Sequence, residues 1–114
     1  MKIDLRESQG VAVLDVAGKI TAGDSEAMLR EAVDTLVGSG RTKIVLNLSH
    51  VEFMDSAGVG ELVASYRLVE RFGGKLKIAR ASKKVKSSLN VAKLLPILEV
   101  FEDEKEAVAS FDAR

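Results

Sequence analysis

A chain of 114 residues, 46% of them hydrophobic, can bury one modest core and leaves little room for a second domain. Lysine and arginine total 17 and aspartate and glutamate total 17, so no net field draws the chain to nucleic acid or to an anionic membrane. Without cysteine there are no disulfides or thiolate zinc sites, and the single His50 excludes a multi-histidine metal site within one chain. No metal or cofactor is expected.

The N-terminus, Met1-Lys-Ile-Asp-Leu-Arg-Glu7, is charged at once and carries no apolar signal segment, and no run approaches membrane-spanning length, so the expected setting is the cytoplasm. Ile3 and Leu5 alternate with charged residues, Ser8-Gln9-Gly10 offers a tight turn, and Val11-Ala-Val-Leu-Asp-Val-Ala17 predicts a second strand paired antiparallel to the first. The stretch Gly18-Lys-Ile-Thr-Ala-Gly-Asp24 interrupts that pattern. Asp24 or Ser25 is then expected to cap a helix with the apolar stripe Met28, Leu29, Ala32, Val33, Leu36 and Val37, ended by Gly38-Ser39-Gly40.

Lys43-Ile-Val-Leu-Asn-Leu48 is short, apolar and rich in β-branched residues, the pattern of a strand buried on both faces. After it, Val59, Leu62, Val63, Tyr66, Val69 and Phe72 recur at helical spacing, with Glu61, Arg67, Glu70 and Arg71 assigned to other faces. Gly73-Gly74 supplies a left-handed stop and Lys75-Leu-Lys-Ile-Ala79 reads as another strand. Strand, helix and strand with short joints make a parallel right-handed crossover, which sets the first turn of the helix at the carboxyl end of the sheet. Ser82 can cap a short helix carrying Val85, Leu89 and Ala92, Pro96 closes that segment, and Ile97-Leu-Glu-Val-Phe101 is expected as an edge strand. From Asp103 onward, Val108 and Phe111 predict a last helix against the sheet. The alternation of elements predicts one α/β domain over residues 1–114.

The chemistry concentrates at Met54-Asp-Ser-Ala-Gly-Val-Gly60, where the central strand meets its helix. Asp55 and Ser56 both can accept hydrogen bonds from the free amides of a first turn, and Gly58 and Gly60 leave that turn with little side-chain cover. A hydroxyl there is open to solvent, and a phosphate on it would meet the positive end of the helix dipole. The residues alone leave Ser56 as either a structural cap or a modification site, and Asp55 as either a second cap or a group that orients the serine. Ser49 and Ser65, placed in a loop and inside the helix, read as structural.

Position 63 is valine, so the dinucleotide fingerprint is incomplete, and no Gly-Lys-Ser/Thr loop is present. Met54 stands where a nucleophile elbow requires glycine, and His50 is too near in sequence to be an obvious base, so no enzyme is expected. Arg80, Lys83, Lys84, Lys86 and Lys93 form a basic stretch followed by Glu99, Glu102, Asp103, Glu104 and Glu106, which reads as a solvated face, with a docking patch for an acidic partner as the alternative.

The motif Met54-Asp-Ser-Ala-Gly-Val-Gly60 after Ile44-Val-Leu-Asn-Leu48 resembles the signature of STAS domains, and within them of bacterial anti-sigma factor antagonists. The resemblance runs over essentially the whole chain and implies a STAS-like domain with a mixed, mostly parallel sheet of about five strands and about four helices. It also implies that Ser56 is phosphorylated by a partner kinase, an anti-sigma factor, which the unphosphorylated form would bind so as to free a sigma factor. Asp55, Ser56, Ala57, Gly58, Val59 and Gly60 would then be partner-binding residues. Many antagonists have an acid after the second strand, in Gly-x-Leu-Asp, whereas Gly18-Lys-Ile-Thr21 has threonine there, with Asp24 as a stand-in from the loop. Thr21 and Asp24 are accordingly further partner-binding candidates. Two other roles are a STAS domain used as a structural subunit of a stress-signalling scaffold or transport complex, and a small-ligand module built from the loops around Gly23 and Gly58.

Overall fold

The chain opens with a hairpin of β1 (Lys2–Ser8) and β2 (Val11–Ile20), antiparallel across a two-residue turn. Gln9 and Gly10, at φ 50° and 80°, both take the left-handed conformation that such a turn needs. The computed structural model describes residues 1–93 and 97–112. There follow α1 (Asp24–Gly38), β3 (Lys43–Met54), α2 (Ser56–Arg71), β4 (Lys75–Ala79), α3 (Lys83–Val91), β5 (Val100–Phe101) and α4 (Glu104–Ala109), with a 3₁₀ turn at Ser110–Asp112. The strands lie in the order β1-β2-β3-β4-β5, and every pair after the first is parallel. The sheet is therefore mixed and mostly parallel, as the alternation of elements predicts.

The core follows from the strand sequences. Ile44, Leu46 and Leu48 of β3 pack with Leu14, Ile78, Leu29, Leu62 and Leu89, joining the sheet to α1, α2 and α3. Val45 of β3 points to the opposite face, with Val11, Val13 and Ala79, under Ala107 and Val108 of α4. Lys43–Leu48 is a strand flanked by packing on both faces, as expected, but it runs on to Met54, so Ser49 lies in β3 rather than in a loop. On the α4 side, Arg6 binds Asp15 and Glu104, and Asn47 donates to Glu104 at 2.8 Å. The Arg6 guanidinium holds both carboxyls below the usual carboxylate range.

Several expected boundaries and faces need correction. β2 continues through Gly18 to Ile20, because its register with β3 shifts between Asp15 and Ala17 and again between Gly18 and Lys19. Gly18 is an irregularity within a ladder rather than the end of a strand. The α1 helix is capped at Gly23, not by Asp24 or Ser25, and Met28 is 41% exposed. Of the α2 stripe, Phe72 is 59% exposed, whereas Glu61 is buried with its carboxylate on Arg30 (Nε–Oε1 2.9 Å) and on the Ser65 hydroxyl (2.9 Å). A buried carboxylate is tolerated because it is paired.

The expected edge strand at Ile97–Phe101 shortens to Val100–Phe101: Arg80, at φ 58°, ends β4, so little ladder is left to join. Leu98 is buried and Ile97 is exposed. Ser82 caps α3 by accepting from the Val85 amide, as expected, and Asp103 caps α4 by accepting from the Lys105 amide. Ala92 is exposed beyond the end of α3, not part of its buried stripe. Pro96 lies outside the described residues.

Candidate functional site

β3 and α2 meet at Asp55, which sits in extended backbone as the N-cap of α2. Its Oδ1 accepts from the Gly58 amide at 2.9 Å and its Oδ2 from the Ala22 amide at 3.2 Å. One carboxylate thus satisfies a first-turn donor and fastens the loop between β2 and α1 to the start of α2. The Gly58 amide is the main cause of a lowered Asp55 pKa, with the Ala22 amide adding to it. The backbone repeats the tie, since the Asp55 amide donates to the Ile20 carbonyl at 3.3 Å.

Gly58 explains why a glycine stands in this turn. A Cβ there would fall 2.1 Å from the Ile20 carbonyl oxygen, so β2 and α2 touch through a gap that only hydrogen fills. Gly58 is buried by that contact and is not part of an open turn as expected, whereas a Cβ on Gly60 would meet nothing within 4 Å. Because Asp55 performs the capping, Ser56 is the first helical residue, and it is exposed. Its position at the N-terminal end of a sixteen-residue helix places the hydroxyl at the positive end of the macrodipole.

Beside Ser56 runs an open groove of about 590 Å³ between α2 and α3. Met54, Asp55, Ser56, Val59, Gly60 and Val63 form one wall, and Ser87, Ser88, Val91 and Ala92 the other. Among the expected site residues, Asp55, Ser56, Val59 and Gly60 share this groove, whereas Ala57 and Gly58 lie behind it in the same turn. The α3 wall was not expected, and Val91, 79% exposed on a short helix, is its clearest signal.

Thr21 and Asp24 line a different depression, with Lys19, Ser25 and Glu52. The Thr21 amide donates to Ser25 Oγ at 2.8 Å, and that hydroxyl donates back to the Thr21 carbonyl at 2.9 Å. Thr21 thereby closes the loop locally, and the loop reaches Asp55 through Ala22 rather than through Asp24. Gly23 does not line the groove beside Ser56. In the basic stretch, Lys86 pairs with Glu102 and Lys84 lies 5.6 Å from the Phe53 ring centre, while Lys83 and Arg80 are exposed.

The family model described as the STAS domain matches residues 2–107. The chain belongs to the STAS domain family. An anti-sigma F factor antagonist of Paenibacillus polymyxa is 25% identical over 113 residues, spanning 98% of this chain and 96% of the relative. A crystal structure of an anti-sigma factor antagonist from Mycobacterium paratuberculosis superposes with a TM-score of 0.82 at 22% identity, over 96% of this chain and 92% of that one. The Bacillus cell fate determinant SpoIIAA in its phosphorylated form does so with a TM-score of 0.74 at 22% identity, over 96% and 99% of the two chains. These structural likenesses establish the STAS fold, and the curated relative carries the name of a protein antagonist rather than of an enzyme. Among the described residues no helix is long and apolar enough to cross a membrane.

Proposed function

We propose that this chain is a cytoplasmic anti-sigma factor antagonist whose binding surface is the start of α2 and whose switch is Ser56. Unphosphorylated, it binds an anti-sigma factor that is also a serine kinase, and so frees a sigma factor. Phosphorylation of Ser56 by that kinase ends the complex. The observation that carries this reading is the division of labour at the helix start: Asp55 provides the cap, leaving the Ser56 hydroxyl exposed beside an apolar groove. The names of relatives and the phosphorylated form of a protein of the same fold support it.

The magnitudes favour a switch over a structural effect. A phosphate on serine brings about −1.5 to −2 charges. At an exposed helix N-terminus it gains about 0.3–1 kcal/mol, so the free domain tolerates it. Covered by a partner and left unpaired, a charge costs about 2–5 kcal/mol.

Capture from a lysate of the source cells tests this, with immobilised Ser56→Ala and Ser56→Asp chains and mass spectrometry of what they retain. An anti-sigma factor kinase held by Ser56→Ala and lost by Ser56→Asp is the expected result. Equal retention by both chains contradicts the charge switch.

A further inference from the structure

We propose that residues 103–112, α4 with its closing 3₁₀ turn, form a strap that is buckled to the sheet at both ends and opens as one unit while the rest of the domain stays folded. The two faces of the sheet are covered unequally. On one, α1, α2 and α3 contribute large buried side chains, among them Leu29, Leu62 and Leu89. On the other, α4 buries only Ala107 and Val108, which lie on Val11, Val13, Val45 and Ala79. Its six residues fall far short of the roughly 12–15 at which a helix is even marginal alone. α4 is therefore held by its attachments.

Those attachments are side-chain ties from three strands. At the first end of α4, Glu104 accepts from Arg6 of β1 and, at 2.8 Å, from Asn47 of β3. At the last end, Lys77 of β4 is 6% exposed, donates to Ser110 Oγ at 2.8 Å and sets its ammonium 4.4 Å from the centre of the Phe111 ring. The Ser110 hydroxyl donates in turn to the Ala107 carbonyl at 2.7 Å, so Lys77 grips the end of the helix through it. The chain ahead of the strap is fastened separately. Leu98 is buried in the main core, the Arg80 amide donates to the Phe101 carbonyl at 2.9 Å, and Lys86 pairs with Glu102. The exposed bend at Glu102 is the hinge.

Each buckle is weaker than a core contact. The Arg6 side chain is 46% exposed, and ion pairs that open to water contribute little. Alanine and valine remove less apolar area from water than the leucines of the other helices. A segment held this way opens below the free energy of global unfolding. It opens whole, because freeing either end leaves about one helical turn, and a single turn costs more order than its hydrogen bond returns. Opening bares Val11, Val13, Val45 and Ala79, none of which lines the groove at Ser56, so the strap is independent of the proposed switch.

Amide hydrogen exchange of the full chain, read by NMR, tests the proposal with three substitutions shown to be folded by thermal melts. The Ala107 amide, bonded to the Asp103 carbonyl, and the Ser110 amide, bonded to that of Glu106, report on the two ends of the strap. The amides of β3 report on the whole domain. Both strap amides are expected to be protected, but to exchange roughly tenfold or more faster than the slowest of β3. Lys77→Met and Glu104→Gln, one at each buckle, should each speed both strap amides by one common factor, roughly threefold to tenfold for a lost hydrogen bond. Val33→Ala, in the main core on α1, should speed the β3 amides and leave the strap amides unchanged. Strap amides without protection mean that no closed strap exists. Strap amides as slow as those of β3, or sped by Val33→Ala, make α4 part of the main cooperative unit. Substitutions that each speed only the nearer amide show fraying from two ends. Any of these results overturns the proposal.

Discussion

A side chain at position 58 has nowhere to go, because the Ile20 carbonyl oxygen lies 2.1 Å from where its first carbon would be. Gly58→Ala must push β2 from α2, and overpacking of this kind costs about 1–3 kcal/mol. Gly60→Ala, two residues on and facing open space, should instead hold or raise stability by up to about 1 kcal/mol through helix propensity. Urea unfolding of the pair gives the contrast directly, and equal effects of the two would contradict the close approach at Gly58. Asp55 makes a prediction in pH. Its folded pKa is depressed by the Gly58 and Ala22 amides, so its stabilisation is complete at neutral pH. That stabilisation begins to fall as pH drops through the ordinary carboxylate value of about 4 and is gone below the depressed one. The stability gap between wild type and Asp55→Asn should accordingly be open at pH 7 and close on acidification, as read by urea titrations across that range. A gap that widens in acid has the wrong sign for this cap.

Between elements, the α1–α2 contact holds the one acid that helical periodicity misplaces. A wheel of α2 assigns Glu61 to solvent because glutamate usually belongs there, and its partner Arg30 is 31 residues away in sequence, beyond any local pattern. Arg30→Ala leaves the Glu61 carboxylate, 1% exposed, with Ser65 alone, at a cost of about 1–3 kcal/mol. Adding Glu61→Gln removes the uncompensated charge and should recover part of the loss, so a double-mutant cycle with no coupling would rule the buried pair out as a tie. The same non-locality hides other features. Gly18 reads as a breaker until its parallel pairing with β3 is known, and the length of β5 depends on where Arg80 turns β4 away. The hairpin, the cap at Ser82 and the crossover from β3 to β4 depend on neighbours in sequence and were legible there.

At the scale of the molecule, the sheet order brings the ends of β2 and β3 together, so the loop after Ile20 and the start of α2 become one rim. That rim presents Ser56, and the motif around it was readable because an acid, a serine and two spaced glycines fall where a strand gives way to a helix. The second wall, from α3, was not readable, since its place beside Ser56 is a matter of how α3 packs on β3 through Val85 and Leu89. The account rests on Ser56 being a phosphorylated switch rather than a bystander to the Asp55 cap. The direct measurement is the mass of the protein isolated from its own cells under different growth conditions, followed by fragmentation of the tryptic peptide Ile44–Arg67, which contains Ser49, Ser56 and Ser65. One phosphate on Ser56, changing in amount with condition, is the predicted result; a phosphate confined to Ser49 or Ser65, or none under any condition, would contradict it.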